Sequence, residues 1–230
     1  MILCIETATG ICSAALCDEQ RVISVLDAPP GMSHAAQLTV IIRKLLSEAS
    51  VTAAGLDAVA VSKGPGSYTG LRIGVSVAKG IAYGAGIPLI GINTLQAMCH
   101  GYLGRNPLPD SSDILLCPMI DARRMEVYNA LFRPDGTFFR DTSADIIDES
   151  SYKEILEKNT IVFFGNGADK CRDTIRHPNA VFYDKFLLSA SYLHVPSVMA
   201  MKNKHFEDVA YFEPYYLKEF IATTPRKLLP

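Results

Sequence analysis

Residues 64–70, Gly-Pro-Gly-Ser-Tyr-Thr-Gly, form a glycine-rich loop between a predicted strand and a predicted helix. Such a loop can bind phosphate, because the first backbone N–H groups of a helix are unpaired and its dipole is positive there. The loop lacks the Gly-Lys-Ser/Thr ending of a nucleoside-triphosphate loop, and Thr69 stands where a dinucleotide-binding loop has a third glycine. It therefore permits only weak anion binding, through Gly64, Gly66, Ser67 and Thr69.

Two further turns carry polar residues suited to a nucleotide or another anion. The turn at 6–10 follows the first predicted strand, where nucleotide-binding proteins of the actin and sugar-kinase type have an acid and a phosphate loop; it adds Thr7 and Thr9. The turn at 121–124 adds Asp121 and Arg123, which can bind an anion or the carboxylate of a partner. A plain hairpin turn and an ordinary charged turn are the alternatives.

No other catalytic pattern is present in the sequence. The five histidines form no H-E-x-x-H pair, and there is no G-x-S-x-G elbow. None of the six cysteines belongs to a C-x-x-C, so buried reduced thiols are expected rather than zinc ligands or disulfides. We therefore predict no catalytic residue and no metal site.

The composition is that of a globular protein with a large core. Of the 230 residues 49% are hydrophobic, and the formal net charge is −2, which gives no general attraction to nucleic acid or anionic lipid. No apolar run is long enough to span a membrane, and residues 1–6 lack the features of a signal peptide. A cytoplasmic location and no membrane partner are expected.

Two successive units are predicted to position these turns. Three short strands at 2–26, a helix at 33–49, a strand at 56–61, a helix at about 70–84 and a strand at 87–92 indicate a mixed sheet covered by helices. Residues 104–113 are rich in Pro, Gly and Ser, and hairpins, a strand, a glycine loop and helices at 169–175 and 187–202 follow. We predict an α/β protein with units at 1–103 and 104–230.

The helix after the glycine-rich loop contains two stripes of small residues. Gly70, Gly74 and Ala78 are spaced by four, and so are Ser76, Gly80 and Gly84. Each interior glycine costs about 1 kcal/mol relative to alanine, so the stripes must allow a close approach by another backbone. That neighbour is either the chain's own sheet or the helix of a partner.

Several of these stretches together resemble the TsaB (YeaZ) family of tRNA threonylcarbamoyladenosine biosynthesis proteins. The segment "GPGSYTGLRIG" at 64–74 is similar to the family's central signature. Further landmarks are "CIETATGICSAAL" at 4–16, "SHAAQL" at 33–38, "IDARRMEVY" at 120–128 and "PYYLKEF" at 214–220. The resemblance implies an actin-like ATPase (ASKHA, ribonuclease H-like) fold of two tandem subdomains with mixed sheets flanked by helices.

The resemblance also implies a function and its partners. The implied function is that of a non-catalytic scaffold subunit for TsaD during threonylcarbamoyl transfer to adenosine 37 of tRNA. TsaE is implied as a third component, and tRNA is implied to bind only through the complex. A homodimer is expected when TsaD is absent. No tightly bound cofactor is expected, and ATP or ADP at the partner interface is the ligand to consider. The tail after about residue 205 is expected to return to the first subdomain.

The partner surface implied by the resemblance lies on the helices at about 33–49 and 70–84. Its candidate residues are Leu38, Ile41, Ile42, Leu45, Gly70, Arg72, Gly74, Val77, Ala78 and Ile81. TsaD-like proteins carry Asn-His-x-Glu-x-His where this chain has "NTLQAM" at 93–98, so Thr94 and Met98 replace the two metal-binding histidines. The alternatives are a stand-alone ATPase that needs Glu6 or Asp121 to hold magnesium, and a metallopeptidase.

Overall fold

The computed structural model describes residues 1–29, 33–109 and 113–217. Its first half contains eight regular elements in chain order. They are β1 (Ile2–Glu6), β2 (Ser13–Cys17), β3 (Val22–Asp27), α1 (His34–Glu48), β4 (Ala58–Gly64), α2 (Tyr68–Ala85), β5 (Leu89–Asn93) and α3 (Thr94–Leu103). This order confirms the elements predicted for the first unit.

The second half contains a second set of strands and two further helices. They are β6 (Ile114–Asp121), β7 (Glu126–Phe132), β8 (Phe138–Ile146), α4 (Lys153–Leu156), β9 (Thr160–Phe164), β10 (Ala180–Tyr183) and α5 (His194–Lys202). The boundary predicted between residues 103 and 104 stays a prediction, and part of the connection, 110–112, lies outside the described residues.

The two halves repeat one sheet topology. The first sheet has the order β3-β2-β1-β4-β5, and the second has the order β8-β7-β6-β9-β10. In each, the first three strands are antiparallel and the last two run parallel to the central strand. This duplicated mixed sheet confirms the predicted actin-like ATPase fold.

Capping residues fix the two long helices of the first unit. Ser33 caps α1, with its side chain accepting a hydrogen bond from Ala36 N, as its sequence position predicts. Ser67 caps α2 in the same way, so this helix begins at Tyr68, slightly before the predicted start. α2 ends at Gly86, whose φ of 66° is the left-handed conformation that glycine adopts readily.

The core is arranged in layers around the two sheets. α1 and α2 cover one face of the first sheet, where Leu38 and Val75 pack with Leu3 and Val61. α3 and α5 lie on the other face, and α3 also packs against β6 and β7 of the second sheet. The ring of Tyr102 in α3 stacks on Phe164 of β9 with centroids 4.9 Å apart. α3 therefore joins the two sheets through one continuous cluster.

The chain after residue 190 returns to the first sheet. A 3-10 turn at Ala190–Leu193 packs on β1 and β2, and α5 packs beside β5. Farther on, Glu207 N donates to Leu89 O and Tyr215 N donates to Lys63 O. The tail after about residue 205, predicted to return to the first subdomain, is described as far as residue 217. Contacts with the first sheet already begin at residue 190.

Several local predictions for the second unit were wrong. The helix predicted at 169–175 is a 3-10 turn at Asp169–Cys171, and the helix predicted at 187–202 starts at His194. The second difference arises because Ser189 is extended and its side chain accepts from Ser191 N, which starts a 3-10 turn first. Strand β10 was not predicted.

The cysteines follow their prediction. All six are free and buried. The sulfur atoms of Cys4 and Cys17 lie 3.8 Å apart on neighbouring strands, and the pKa of Cys4 is raised by its hydrogen bond to Cys17 and by burial. These thiols are core side chains.

Candidate functional site

A cavity of about 610 Å³ lies between the two units. The loop after β4, the β1–β2 turn, the β6–β7 turn and the returning tail form its walls. Six of the eight predicted anion-binding residues line it, namely Thr9, Gly66, Ser67, Thr69, Asp121 and Arg123. His34, Tyr128, Asn166 and Tyr215–Leu217 also line it and were not predicted. The structure therefore brings the three predicted turns together around one cavity, and anion binding there stays a prediction.

Two predicted anion-binding residues do not line this cavity and need correction. Thr7 is fully buried, and its hydroxyl donates to Gly70 O over 2.8 Å. Gly64 is buried beneath the tail, where a Cβ would lie 2.6 Å from Tyr215 O, and its φ of 119° favours glycine. Thr7 is therefore covered by the start of α2, and Gly64 is covered by the returning tail.

Two glycines of the loop leave room for the backbone of the β1–β2 turn. A Cβ at Gly66 would overlap Ala8 O, and a Cβ at Gly70 would overlap Thr7 O. Ala8 O accepts a hydrogen bond of 2.6 Å from Ser67 N at the start of α2. A carbonyl of the β1–β2 turn thus occupies a donor that a phosphate would need. Nucleotide binding in the cleft stays a prediction.

Glu6 is buried beneath the cleft rather than exposed in it. It has no solvent-exposed surface, and its carboxylate accepts from Ser62 Oγ and from Ala8 N, the latter over 2.5 Å. Burial raises the pKa of Glu6 to about 7, although the hydrogen bonds from Ser62 and Ala8 oppose this. The side chain therefore connects β4 to the β1–β2 turn and is not placed to hold a magnesium ion in the cavity.

Asp121 is engaged at the other side of the cleft. Its carboxylate forms an ion pair with Lys170 and accepts from Arg123 N over 2.9 Å. Lys170 also donates to Arg124 O and Glu126 O, so one ammonium group fixes the whole β6–β7 turn. Lys170 could not be found from local sequence patterns, because it lies 49 residues from Asp121 along the chain.

The start of α3 carries no metal-binding side chains. Thr94 and Met98 are buried, and the Asn93 side chain caps the helix by accepting from Leu95 N and Gln96 N. Among residues 1–29, 33–109 and 113–217, no three His, Cys, Asp or Glu side chains are grouped so that they could hold a metal ion. Within the same ranges, no helix is long and apolar enough to cross a bilayer.

The predicted partner surface needs a correction of its residues. Seven of the ten are buried in the chain's own core, namely Leu38, Ile41, Ile42, Leu45, Gly70, Gly74 and Ala78. A Cβ at Gly74 would overlap Thr7 Oγ1, so this stripe of small residues faces the first sheet. Val77 and Ile81 are half-buried and Arg72 is exposed. Only these three remain available to a partner.

The second stripe of small residues lies on the outside of α2. Ser76, Gly80 and Gly84 are exposed, and a Cβ at either glycine would meet no atom of the described residues within 4 Å. Beside them lie the half-buried Val77 and Ile81. The stripe of Gly70, Gly74 and Ala78 therefore faces the chain's own sheet, whereas the stripe of Ser76, Gly80 and Gly84 faces solvent. We call the outer one, Ser76, Gly80 and Gly84, the outer stripe.

Comparison with known proteins places the chain in a family. The TsaD family, described as tRNA N6-adenosine threonylcarbamoyltransferase, matches residues 31–219. The tRNA threonylcarbamoyladenosine biosynthesis protein TsaB of Escherichia coli is 30% identical, and the match covers 96% of each chain. TsaB of Bacillus subtilis is 33% identical over 57% of this chain and 55% of its own length.

Solved structures agree on the fold. YeaZ from Pseudomonas aeruginosa superposes with a TM-score of 0.79 at 24% identity, covering 94% of this chain and 99% of that one. A second Pseudomonas aeruginosa structure, of a protein described as similar to peptidase YeaZ, has a TM-score of 0.81 at 23% identity, with the same coverage. Together with the sequence match over nearly the whole chain, these findings show that the chain belongs to the TsaB (YeaZ) family.

Proposed function

We propose that this chain takes part in threonylcarbamoyladenosine biosynthesis as the non-catalytic partner subunit of TsaD. The name of the Escherichia coli relative supports the pathway. In the proposed complex TsaD transfers the threonylcarbamoyl group to adenosine 37 of tRNA, and this chain holds TsaD in its working form. TsaE joins the same complex, in the cytoplasm.

The outer stripe of α2 is the observation that carries the proposal. Gly80 lies in the interior of an 18-residue helix, where it costs about 1 kcal/mol relative to alanine, yet none of residues 1–29, 33–109 and 113–217 fills the space beside it. A glycine that costs stability without an internal packing reason is explained by a partner that approaches the helix backbone. We infer that TsaD packs on this stripe and that a second copy does so when TsaD is absent.

The chemistry of the cleft supports a non-catalytic role. Glu6 is buried and hydrogen-bonded to Ser62, and Asp121 is paired with Lys170, so neither carboxylate is placed to hold magnesium for an ATPase. Thr94 and Met98 supply a hydroxyl and a thioether, which are poor ligands for a divalent metal. The formal net charge of −2 favours tRNA binding through the complex rather than by this chain alone.

The experiment is light scattering coupled to size-exclusion chromatography on the chain mixed with TsaD from the same organism. Wild type is compared with Gly80→Leu, which adds bulk to the outer stripe at a position where a Cβ would meet no described atom within 4 Å. We expect a one-to-one complex with wild type and its loss with Gly80→Leu, because the leucine holds the partner helix away.

Lys202→Leu is the matched control, since it adds the same side chain at an exposed position of α5. It should bind TsaD as wild type does. Circular dichroism must show that both variants are folded. If wild type does not bind TsaD, or if a folded Gly80→Leu binds as tightly as wild type, the proposed role of the outer stripe is wrong.

A further inference from the structure

The β6–β7 turn has a backbone conformation that its residue types do not favour. Arg123 and Arg124 have φ values of 69° and 48°, in the left-handed region that favours glycine. Among the described residues, no other two consecutive non-glycine residues have a positive φ. Such conformations cost free energy, and they cluster at ligand-binding sites where the surrounding structure enforces them. We call Arg123 and Arg124 the arginine pair.

Backbone groups and one ammonium group hold this turn without using the side chains of the arginine pair. Lys170 Nζ donates to Arg124 O over 2.6 Å and to Glu126 O over 2.8 Å. Arg123 N donates to Asp121 Oδ1 over 2.9 Å, and the same carboxylate pairs with Lys170. The turn is therefore fixed before any ligand binds, so little conformational entropy is lost on binding.

Both guanidinium groups of the arginine pair are available to a ligand. Both residues are exposed, and neither side chain has a hydrogen bond, ion pair or ring contact with residues 1–29, 33–109 or 113–217. Arg123 lines the cleft cavity, where Asp121 is the one acid among the described lining residues, and Lys170 compensates its charge. The planar guanidinium group matches the oxygens of a phosphate. The arginine pair therefore presents two such groups at the rim of the cavity.

The returning tail adds aromatic rings to the same cavity. Tyr215 and Tyr216 line it and are 42% and 38% exposed. The ring of Tyr216 lies 5.0 Å from the ring of Tyr68, which also lines the cavity and supports it. Exposed aromatic faces beside positive charges are the combination that binds single-stranded nucleic acid, with bases stacked on the rings and phosphates at the arginines.

We propose that the arginine pair binds the phosphate backbone of a single-stranded RNA segment, one base of which stacks on Tyr216. The identification of this RNA as the tRNA substrate rests on the proposed function. RNA is favoured over an acidic peptide, because carboxylates would use the arginines and leave the tyrosine faces unused. The formal net charge of −2 keeps the affinity of the chain alone low, so the contact adds to tRNA binding by the complex.

Fluorescence anisotropy of a labelled single-stranded RNA of about 12 nucleotides, titrated with the full-length chain at several salt concentrations, tests the inference without TsaD. Arg123→Gly combined with Arg124→Gly keeps the turn, because glycine adopts a positive φ readily. We expect this arginine-pair variant to bind about tenfold more weakly. The slope of log affinity against log salt concentration should be smaller by about 1.4, because two phosphate contacts are lost.

Tyr216→Leu separates base stacking from charge. It should lower the affinity for the same RNA about tenfold, because one stacked base loses its ring. The salt slope should equal that of wild type, since no positive charge is removed.

Lys185→Gly combined with Lys204→Gly is the matched control. Both lysines are exposed, have φ values of 60° and 54°, and do not line the cavity, so the control removes the same charge at the same kind of backbone position. It should bind the RNA within about twofold of wild type, with the same salt slope. The inference is overturned if wild type does not bind the RNA, or if the arginine-pair variant binds as the control does. Binding of an aspartate-rich peptide in place of RNA, lost in the arginine-pair variant, would assign the turn to an acidic protein segment instead.

The same variants mixed with TsaD separate this inference from the proposed function. We expect the arginine-pair variant to assemble with TsaD as wild type does, and the assembled complex to bind tRNA about tenfold more weakly. Normal assembly with unchanged tRNA affinity would overturn the inference and leave the proposed function intact. Failure of wild type to assemble would contradict the proposed function, and RNA binding by the chain alone would still decide whether the arginine pair contacts phosphate.

Discussion

Two glycines of α2 have opposite surroundings, and this difference can be measured. A Cβ at Gly74 would overlap Thr7 Oγ1, whereas within the part of the chain that the structure describes a Cβ at Gly80 would meet nothing within 4 Å. We expect Gly80→Ala to raise the free energy of unfolding by up to about 1 kcal/mol, because alanine is the better helix former. Gly74→Ala should lower it by about 1–3 kcal/mol, because Thr7 must move.

Urea unfolding followed by circular dichroism measures both glycine variants under one condition. Each is the control for the other, since the substitution and the helix are the same. Changes of the same sign in the two variants would contradict the assignment of one stripe to the sheet and the other to solvent.

The buried carboxyl of Glu6 predicts a pH-dependent stability. Burial raises its pKa from 4.5 to about 7 in the folded protein, so folding favours the protonated form. This stabilisation is complete below about pH 4.5 and is lost as the pH rises through about 7, a change of about 3 kcal/mol at most.

Glu6→Gln provides the comparison, because glutamine keeps the shape of the side chain and does not titrate. Chemical unfolding is measured at several pH values between 5 and 8. Relative to Glu6→Gln, the wild type should lose stability across this range. Parallel curves for the two proteins would show that Glu6 does not titrate there.

At the residue scale, the sequence indicated which residues lie at the loop but not which of them are exposed. Thr7 and Gly64 were predicted to bind an anion, but both are buried beneath the loop or the tail. Their exposure depends on contacts with Gly70 and Tyr215, which are distant in the chain. Spacing within a helix identified both stripes of small residues, yet it contains no information about which stripe faces the sheet.

At the scale of elements, the returning tail is held to α2 by Lys79. Its ammonium group donates to Ala210 O over 3.2 Å and to Phe212 O over 2.9 Å, and Phe212 is buried against the cluster under α2. We expect Lys79→Met to speed amide exchange in residues 207–216 about tenfold, because two hydrogen bonds from a charged group are removed.

Hydrogen exchange with mass spectrometry measures the tail directly. Lys44→Met is the control, since Lys44 forms an exposed i,i+4 ion pair with Glu48 and lies on α1, away from the tail. It should leave exchange in residues 207–216 unchanged. Equal exchange in wild type and Lys79→Met would mean that other contacts hold the tail.

The elements of the first unit were more predictable than those of the second. β1 and β4 are apolar runs buried on both faces, and α1 has a clear helical period with a serine cap. α4 is only four residues long, and β10 is a four-residue strand without a fully buried side chain. Short elements carry too few residues for a period to be seen, and tertiary packing decides them.

The whole molecule is joined by one cluster that crosses both sheets. Cys4 and Ile90 of the first sheet and Phe132 and Phe164 of the second belong to it, with Tyr102 of α3 between them. We expect a single unfolding transition in urea, with the same midpoint for the far-ultraviolet signal and for the near-ultraviolet signal of the ten tyrosines. Two separate midpoints would show that the halves unfold independently.

Tyr102→Leu extends this test, because it removes the ring that stacks on Phe164. It should lower both midpoints together, by about 1–3 kcal/mol in free energy. The matched substitution Tyr83→Leu changes a tyrosine that is 81% exposed at the end of α2, and it should leave both midpoints within error.

The duplicated topology was predictable in outline because each half begins with hairpins and continues with a strand, a glycine loop and a helical segment. The packing of the halves was not, since it depends on α3 contacting both sheets and on the chain after 190 returning. The cleft lies where these contacts meet, so its full lining could not be derived from local sequence alone.

The burial of all six cysteines has a practical consequence for this protein. Thiol reagents react with exposed thiolates, and buried protonated thiols are inert toward them. A cysteine introduced at an exposed position such as Arg72 or Lys204 would therefore be the reactive one. A fluorophore could thus be attached on the outside of α2 without removing any native cysteine, so that docking of a partner on this helix could be followed by its emission.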